Sequence, residues 1–266
     1  MSTLTDKVAL VTGGNGGIGA GIAVQLAERG AKVVVNGRDA KKAEPVLDKI
    51  RASGSEGIFA AGDVRSRDDM GAVVEQAVDA FGGIDIVVPN AGGNDDEARS
   101  PEVRGLFQDI DLERVSAFVG QAVSAKLNVV QAAVPHFIER GGGSVVFITS
   151  EGGRTPTIGQ TAISTFSGGL VQTTKLLSKE LAKHRIRVNT VCVTVVRNSP
   201  SWTAAFEKDD AVSLHHRAQY QKIVERAPLG IATPEEIGRF VSVLSSDDSA
   251  YLTGAILSPT GGLTLH

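Results

Sequence analysis

The stretch Lys7–Gly30, KVALVTGGNGGIGAGIAVQLAERG, decides the fold. Val8, Ala9, Leu10, Val11 and Thr12 are a short apolar and β-branched run, which predicts a buried strand. A glycine run, Gly13-Gly14-Asn15-Gly16-Gly17-Ile18-Gly19, follows without a gap. Ile22, Ala23, Leu26 and Ala27 then recur at helical spacing as far as the stop at Gly30. Strand, glycine turn and helix N-terminus in that order make an anion site. Backbone N–H groups and the positive end of the helix dipole converge on one point, and missing Cβ atoms let a pyrophosphate come close. Glycine runs also make plain tight turns. The flanking strand and helix are what make Gly13, Asn15, Gly16, Gly17, Ile18 and Gly19 a dinucleotide-binding turn.

Bulk properties set the bounds on everything else. A chain of 266 residues suits one large α/β domain over 1–266, with 42% hydrophobic and 21% charged residues. The net charge of −3 and the lack of a basic block argue against nucleic acid as a partner. Cys192 is the only cysteine, which excludes an internal disulfide framework and fits a reducing compartment. The opening MSTLTDK has no charged and apolar leader pattern, and no apolar run reaches the roughly 20 residues of a membrane span. The expectation is a cytoplasmic protein with no membrane partner. No Cys/His spacing suits zinc, so no metal is expected.

Working outward, strands are expected at Ala31–Asn36, Gly57–Ala61, Ile84–Val88, Ser144–Thr149, Arg185–Val196 and Gly254–Leu257. Helices are expected at Asp39–Ser53, Arg65–Phe81, Leu112–Arg140, Thr161–His184 and Thr233–Ser246, the last opening on an N-cap threonine and Pro234. Gly93–Asp109 is polar and aperiodic and reads as a loop with at most a turn of helix. Unbroken alternation predicts a doubly wound parallel sheet with helices on both faces. The pattern breaks between Asn198 and Pro228, a charged stretch holding Trp202, His215, His216 and Tyr220. It reads as a helical excursion, either a substrate lid or a surface hairpin without function.

With the elements placed, the chain resembles the short-chain dehydrogenase/reductase family over essentially its whole length. Thr12-Gly13, Gly17-Ile18-Gly19, Asp63-Val64, Asn90-Ala91-Gly92, Ile186-Arg187-Val188-Asn189 and Ala227-Pro228-Leu229-Gly230 stand where the family motifs stand. The resemblance implies a Rossmann-type sheet of about seven parallel strands, with the cofactor across the carboxyl ends at the topological switch point. It further implies that Asp63, Val64, Asn90, Ala91 and Gly92 face the cofactor. An NAD-preferring member would carry an acid near Gly37 for the ribose hydroxyls; Arg38 stands there instead, with Asp39 two positions past Gly37. A guanidinium fork suits a 2′-phosphate, so NADP(H) is expected over NAD(H); the plain alternative is a solvated arginine at a helix start.

The catalytic pattern fails. The family uses a tyrosine as acid/base, a lysine four residues later that lowers its pKa, a serine on the substrate oxygen and an asparagine in the preceding helix. Ser150 matches the serine, but Ile163, Ser167 and Ala122 occupy the tyrosine, lysine and asparagine positions. The only tyrosines, Tyr220 and Tyr251, lie far beyond this helix. Neither Ile163 nor Ser167 can do the lost proton chemistry. Candidate replacements are Glu151, which otherwise reads as a solvated loop acid; Lys126, which otherwise reads as an exposed helix lysine; and His215, His216 or Tyr220 brought over by a closing lid.

Three functional readings follow. The first is an oxidoreductase acting on a carbonyl or hydroxyl group with a rearranged proton donor. The second is a catalytically inactive cofactor-binding homologue, a partner subunit or sensor. The third is a non-redox lyase or isomerase using the pocket beside Ser150. Trp202, Phe206, Leu214 and Tyr220 suggest an apolar small-molecule substrate, or merely pack the lid down. By resemblance a homo-oligomer, dimer or tetramer, is expected through the Thr161–His184 helix and the long helix before it. The alternative is that Gly168 and Gly169 only ease packing on the sheet.

Overall fold

A computed structural model of the chain describes residues 3–92, 97–207 and 211–265, with the backbone alone at 97, 211–216 and 219. The strands are β1 (Val8–Thr12), β2 (Lys32–Gly37), β3 (Gly57–Ala61), β4 (Ile86–Val88), β5 (Gly143–Ser150), β6 (Ile186–Val193) and β7 (Ile256–Leu257). The helices are α1 (Gly17–Glu28), α2 (Ala40–Ala52), α3 (Arg67–Phe81), α4 (Leu112–Glu139), α5 (Thr161–Leu181), α6 (Pro200–Phe206), α7 (Ala211–Arg226) and α8 (Pro234–Ser245). All strands are parallel, in the order β3-β2-β1-β4-β5-β6-β7. The expected doubly wound seven-stranded sheet is therefore present.

Both faces of the sheet are covered, which is why its strands read as continuous apolar runs. Successive β1 side chains point to opposite sides. Ala9 and Val11 pack with Ile22 and Leu26 of α1, Ile50 of α2 and Val241 of α8. Val8 and Leu10 pack with Val73 and Val74 of α3, Phe137 of α4 and Leu170 of α5. Phe137 and Leu10 are fully buried; each such side chain stabilises the fold by roughly 1.5–3 kcal/mol relative to exposure. A smaller apolar cluster, Val103, Val115, Phe118, Ala122, Ala162 and Phe166, fills the angle between α4 and α5.

Several expected boundaries shift. The sixth strand stops at Val193, not Val196, because Val193 opposite Ser150 is its last paired residue and Val195 and Val196 are buried without a neighbouring strand. The fourth begins at Ile86, not Ile84, since its register with β1 starts at Ala9 opposite Ile86. The closing strand shortens to Ile256–Leu257. The loop expected over Gly93–Asp109 holds two short 3-10 turns, Glu97–Arg99 and Phe107–Asp109, with 93–96 outside the described residues. The excursion after β6 is helical as read, as α6 and α7, and 208–210 lie outside the described residues.

Candidate active site

Strand order reverses between β1 and β4, so the carboxyl ends of these neighbours open the crevice where α/β sheets take ligands. Thr12 locks the two ends together. Its Oγ1 accepts from the N–H of Asn90 (3.0 Å) and of Ala91 (3.1 Å), and its carbonyl accepts from Asn90 Nδ2 (3.1 Å). The glycine turn departs from there. Gly13 and Gly17 hold φ of 62° and 51°, a region that favours glycine, and a Cβ on Gly19 would lie 2.1 Å from the Gly13 carbonyl oxygen. The start of α1 differs from most other helix starts here. Asp39, Ser66, Asp111 and Thr233 cap α2, α3, α4 and α8 with their side chains, whereas Gly16 leaves α1 with no side-chain cap. Its first N–H groups have the character of an anion site, and this turn fits a pyrophosphate.

At the outer end of the crevice, Asn15 packs over Gly37, where a Cβ would lie 2.4 Å from Asn15 Nδ2, and that Nδ2 donates to the Asp39 carbonyl (3.3 Å). The Asp39 carboxylate accepts from the Lys41 N–H at 2.9 Å, capping α2. Arg38 is exposed just past β2. Asp63 pairs with Arg65, with Nη2 to Oδ2 at 2.5 Å. That bond, with a smaller pull from the Arg38 charge, holds the Asp63 carboxyl down at about 2 against the opposing effect of burial. Two supports were not foreseen: Asp69 accepts from the Asp63 N–H (2.8 Å), and Asn128 Nδ2 donates to the Val64 carbonyl (3.0 Å). The Asp63-x-Arg65 spacing was the available signal for the ion pair; Asn128, on a distant helix, gave none.

Ser150 ends β5, and its Oγ accepts from the Gly152 N–H at 3.1 Å. A Cβ built on Gly152 would meet Ser150 Oγ at 3.3 Å, Gln160 Oε1 at 3.5 Å and Ile163 Cγ2 at 3.5 Å, so these three side chains border one spot. Gln160 was not singled out in the sequence. Ile163 packs into the cluster that contains Ala122, Phe118 and Phe166. Ser167 is fully buried, accepts from Thr149 Oγ1 (3.1 Å), and lies under the backbone of Gly153. Of these four residues, the structure brings Ile163 to the spot beside Ser150, whereas Ser167 bonds Thr149 and Ala122 lies in the apolar cluster, and none of the four carries a charge.

The candidate replacements are placed as follows. Glu151 is not a solvated acid: it is 4% exposed, and its carboxylate accepts from Thr155 (3.0 Å), Ser258 (2.5 Å) and Thr264 (3.2 Å). It turns toward the C-terminal segment, which Arg154 also grips through the Ile256 carbonyl and Ser258. Burial, reinforced by the neighbouring Glu151 charge, pushes the Cys192 thiol up to about 12, so that thiol is unreactive. Lys126 is not an exposed helix lysine either. It is 2% exposed, and its Nζ donates to the carbonyls of Pro89 (3.0 Å), Asn90 (2.6 Å) and Ile148 (2.8 Å). Tyr220 sits in the excursion, its ring 6.4 Å from that of Phe206, which lies 4.3 Å from Trp202. The side chains of His215 and His216 lie outside the described residues. The root of the excursion touches the glycine turn: a Cβ on Gly17 would lie 2.7 Å from Pro200 Cδ.

A family model described as short chain dehydrogenase matches residues 7–210. A 3-oxoacyl-acyl-carrier-protein reductase of Chlamydia muridarum is 33% identical over 98% of this chain and 99% of its own. A hydroxy(phenyl)methylsuccinyl-CoA dehydrogenase subunit of Thauera aromatica is 31% identical over 98% of both. Among solved structures, a short-chain type dehydrogenase/reductase from Mycobacterium marinum superposes with a TM-score of 0.82 at 29% identity, covering 99% of this chain and 97% of that one. No helix among the described residues is long and apolar enough to cross a membrane.

Proposed function

Since the chain belongs to the short-chain dehydrogenase/reductase family of NAD(P)-dependent oxidoreductases, we propose that it binds NADP(H) and acts on a carbonyl or hydroxyl group of a small, apolar substrate with a proton donor other than the family tyrosine. The carrying observation is the completeness of the cofactor half. Thr12 is locked to Asn90 and Ala91, and the first turn of α1 has no side-chain cap. Bound there, NADPH supplies the hydride. Gly13, Asn15, Gly16, Gly17, Ile18 and Gly19 would hold the pyrophosphate, Asp63 and Val64 the adenine, and Asn90, Ala91 and Gly92 the nicotinamide ribose. Arg38 would take the 2′-phosphate, since the Asp39 carboxylate is engaged as a helix cap. Ser150 would hold the substrate oxygen, and the excursion of residues 198–228 would close over it, its stacked Trp202, Phe206 and Tyr220 offering an apolar face. His215, His216 and Tyr220 remain the candidate donors. Glu151 bonds Thr155, Ser258 and Thr264, and Lys126 bonds the Pro89, Asn90 and Ile148 carbonyls, which favours the excursion as the source of the donor.

A second reading, a cofactor-binding subunit that leaves the chemistry to an active relative, is favoured by the apolar cluster at Ala122 and Ile163. It also agrees with the name of the Thauera relative, itself a dehydrogenase subunit. One experiment decides between them. NADPH and NADH are titrated by fluorescence, and NADPH oxidation is followed across a carbonyl panel, with this chain alone and mixed with an active relative. Turnover alone supports the first reading, and binding with turnover only in the mixture supports the second. No binding of either nucleotide overturns both. The protein is further proposed to be a homo-oligomer, dimer or tetramer, joined through α4 and α5, which light scattering tests.

A further inference from the structure

We infer that Lys126 is a positioning residue for the nicotinamide end of the cofactor cleft, its buried ammonium supplied from α4 where the family pattern places a lysine on α5. The inference rests on the cofactor reading above. β4 and β5 pair only at Ile86 with Ser144 and Val87 with Val145. Beyond them the direct backbone link is the Ile148 N–H to the Pro89 carbonyl at 3.3 Å. The Lys126 ammonium enters that gap and bridges both strand ends, donating to Pro89 and Asn90 on one side and Ile148 on the other. Three carbonyl oxygens thus lie within hydrogen-bond reach of an ammonium that carries three N–H donors.

A buried charge of this kind is tolerated only while such bonds persist, so the ammonium and the carbonyls fix each other's positions. Asn90 is the shared member. Its carbonyl is held by Lys126 and its amide groups are held by Thr12, so Lys126 stands one residue away from the root of the glycine turn. The fit is close at the loop as well, where a Cβ on Gly92 would come within 3.2 Å of both Lys126 Nζ and Cε. The groups assigned to the adenine end, Arg38 and Asp63, follow β2 and β3, on the far side of β1 from β4 and β5. Loss of Lys126 should therefore disturb one end of the cleft and spare the other.

The test compares two ligands, 2′,5′-ADP for the adenine end and NADPH for the whole cleft. Both are titrated calorimetrically against the wild type, Lys126→Met and Lys126→Gln, with thermal melts alongside. Lys126→Gln keeps donors in the gap and carries the comparison where Lys126→Met fails to fold. The expected result is 2′,5′-ADP affinity within about twofold of wild type and NADPH weakened about tenfold, the worth of one charge-assisted anchor. A merely structural lysine would weaken both ligands together or neither, and either outcome overturns the inference. A wild type that binds neither ligand overturns the cofactor reading itself, and the positioning role with it.

Discussion

Removing the Arg38 guanidinium, as in Arg38→Ala, should convert the expected NADP preference into indifference. Arg38 stands exposed one residue beyond β2, and its charge reaches Asp63 across the mouth of the crevice. A 2′-phosphate there would receive charge-assisted bonds, worth about 1.5–3 kcal/mol each when shielded. Exposure places the effect at the lower end, so NADPH should weaken by roughly tenfold to thirtyfold. NADH, which lacks the phosphate, should stay within about twofold, because the arginine then faces only ribose hydroxyls. The difference should narrow in 1 M salt, where the Debye length falls to about 3 Å. Nucleotide fluorescence titrations of both forms at two salt concentrations measure all of this.

Asp39→Ala is the internal control. Its carboxylate caps α2 through the Lys41 N–H, so its loss should cost about 1 kcal/mol of stability and leave the NADPH to NADH ratio unchanged. Equal weakening of NADPH and NADH in Arg38→Ala would refute the assignment, and so would an Asp39→Ala variant that selectively loses NADH.

Restoring the missing pair with Ile163→Tyr and Ser167→Lys should produce generic carbonyl reduction, followed by NADPH absorbance, at a stability loss of about 1–3 kcal/mol for crowding a fully buried serine site. Retained NADPH binding with no turnover would show that the pocket around Ser150 has itself diverged. Gly19→Ala, whose Cβ would meet the Gly13 carbonyl oxygen at 2.1 Å, should lower the melting temperature and abolish nucleotide binding. Gly16→Ala, with nothing within 4 Å of its Cβ, should melt as the wild type does. Asp63 has a depressed folded pKa of about 2, so its pairing stabilises the fold above the unfolded value near 4 and ceases to do so as pH falls through 2. Arg65→Ala should cost no more than about 1 kcal/mol at pH 7, given partial exposure of both partners. Melts taken from pH 7 down to 2 should show that gap closing.

What the sequence revealed and what it hid divide along sequence separation. β1, the glycine turn and α1 are contiguous, and their pattern is written in neighbouring residues. The expectation at Ile163 and Ser167 likewise needs only a count along the chain from Ser150. Lys126 was not legible in that way. Its helical position placed it on the Ala122 face, but its acceptors lie 22 to 37 residues away on two strand ends. Glu151 is the same case, with two of its donors more than 100 residues further on. A buried charge is recognised by its partners, and sequence order says nothing of partners that the topology alone brings together.

The same division separates the glycine turn from the helices on which the family pattern puts its tyrosine, lysine and asparagine. The cradle is built at β1 and β4 by Thr12, the glycines and Asn90, whereas the proton chemistry of the family sits on α4 and α5. Phe118 of α4 packs edge-on against Phe166 of α5 with ring centroids 6.1 Å apart, in the same cluster as Ala122 and Ile163. That helix–helix contact shares none of the hydrogen bonds of Thr12. Lys126 links the two regions, since it reaches from α4 to the strand ends, and under the positioning role proposed above its loss should register as weaker cofactor binding.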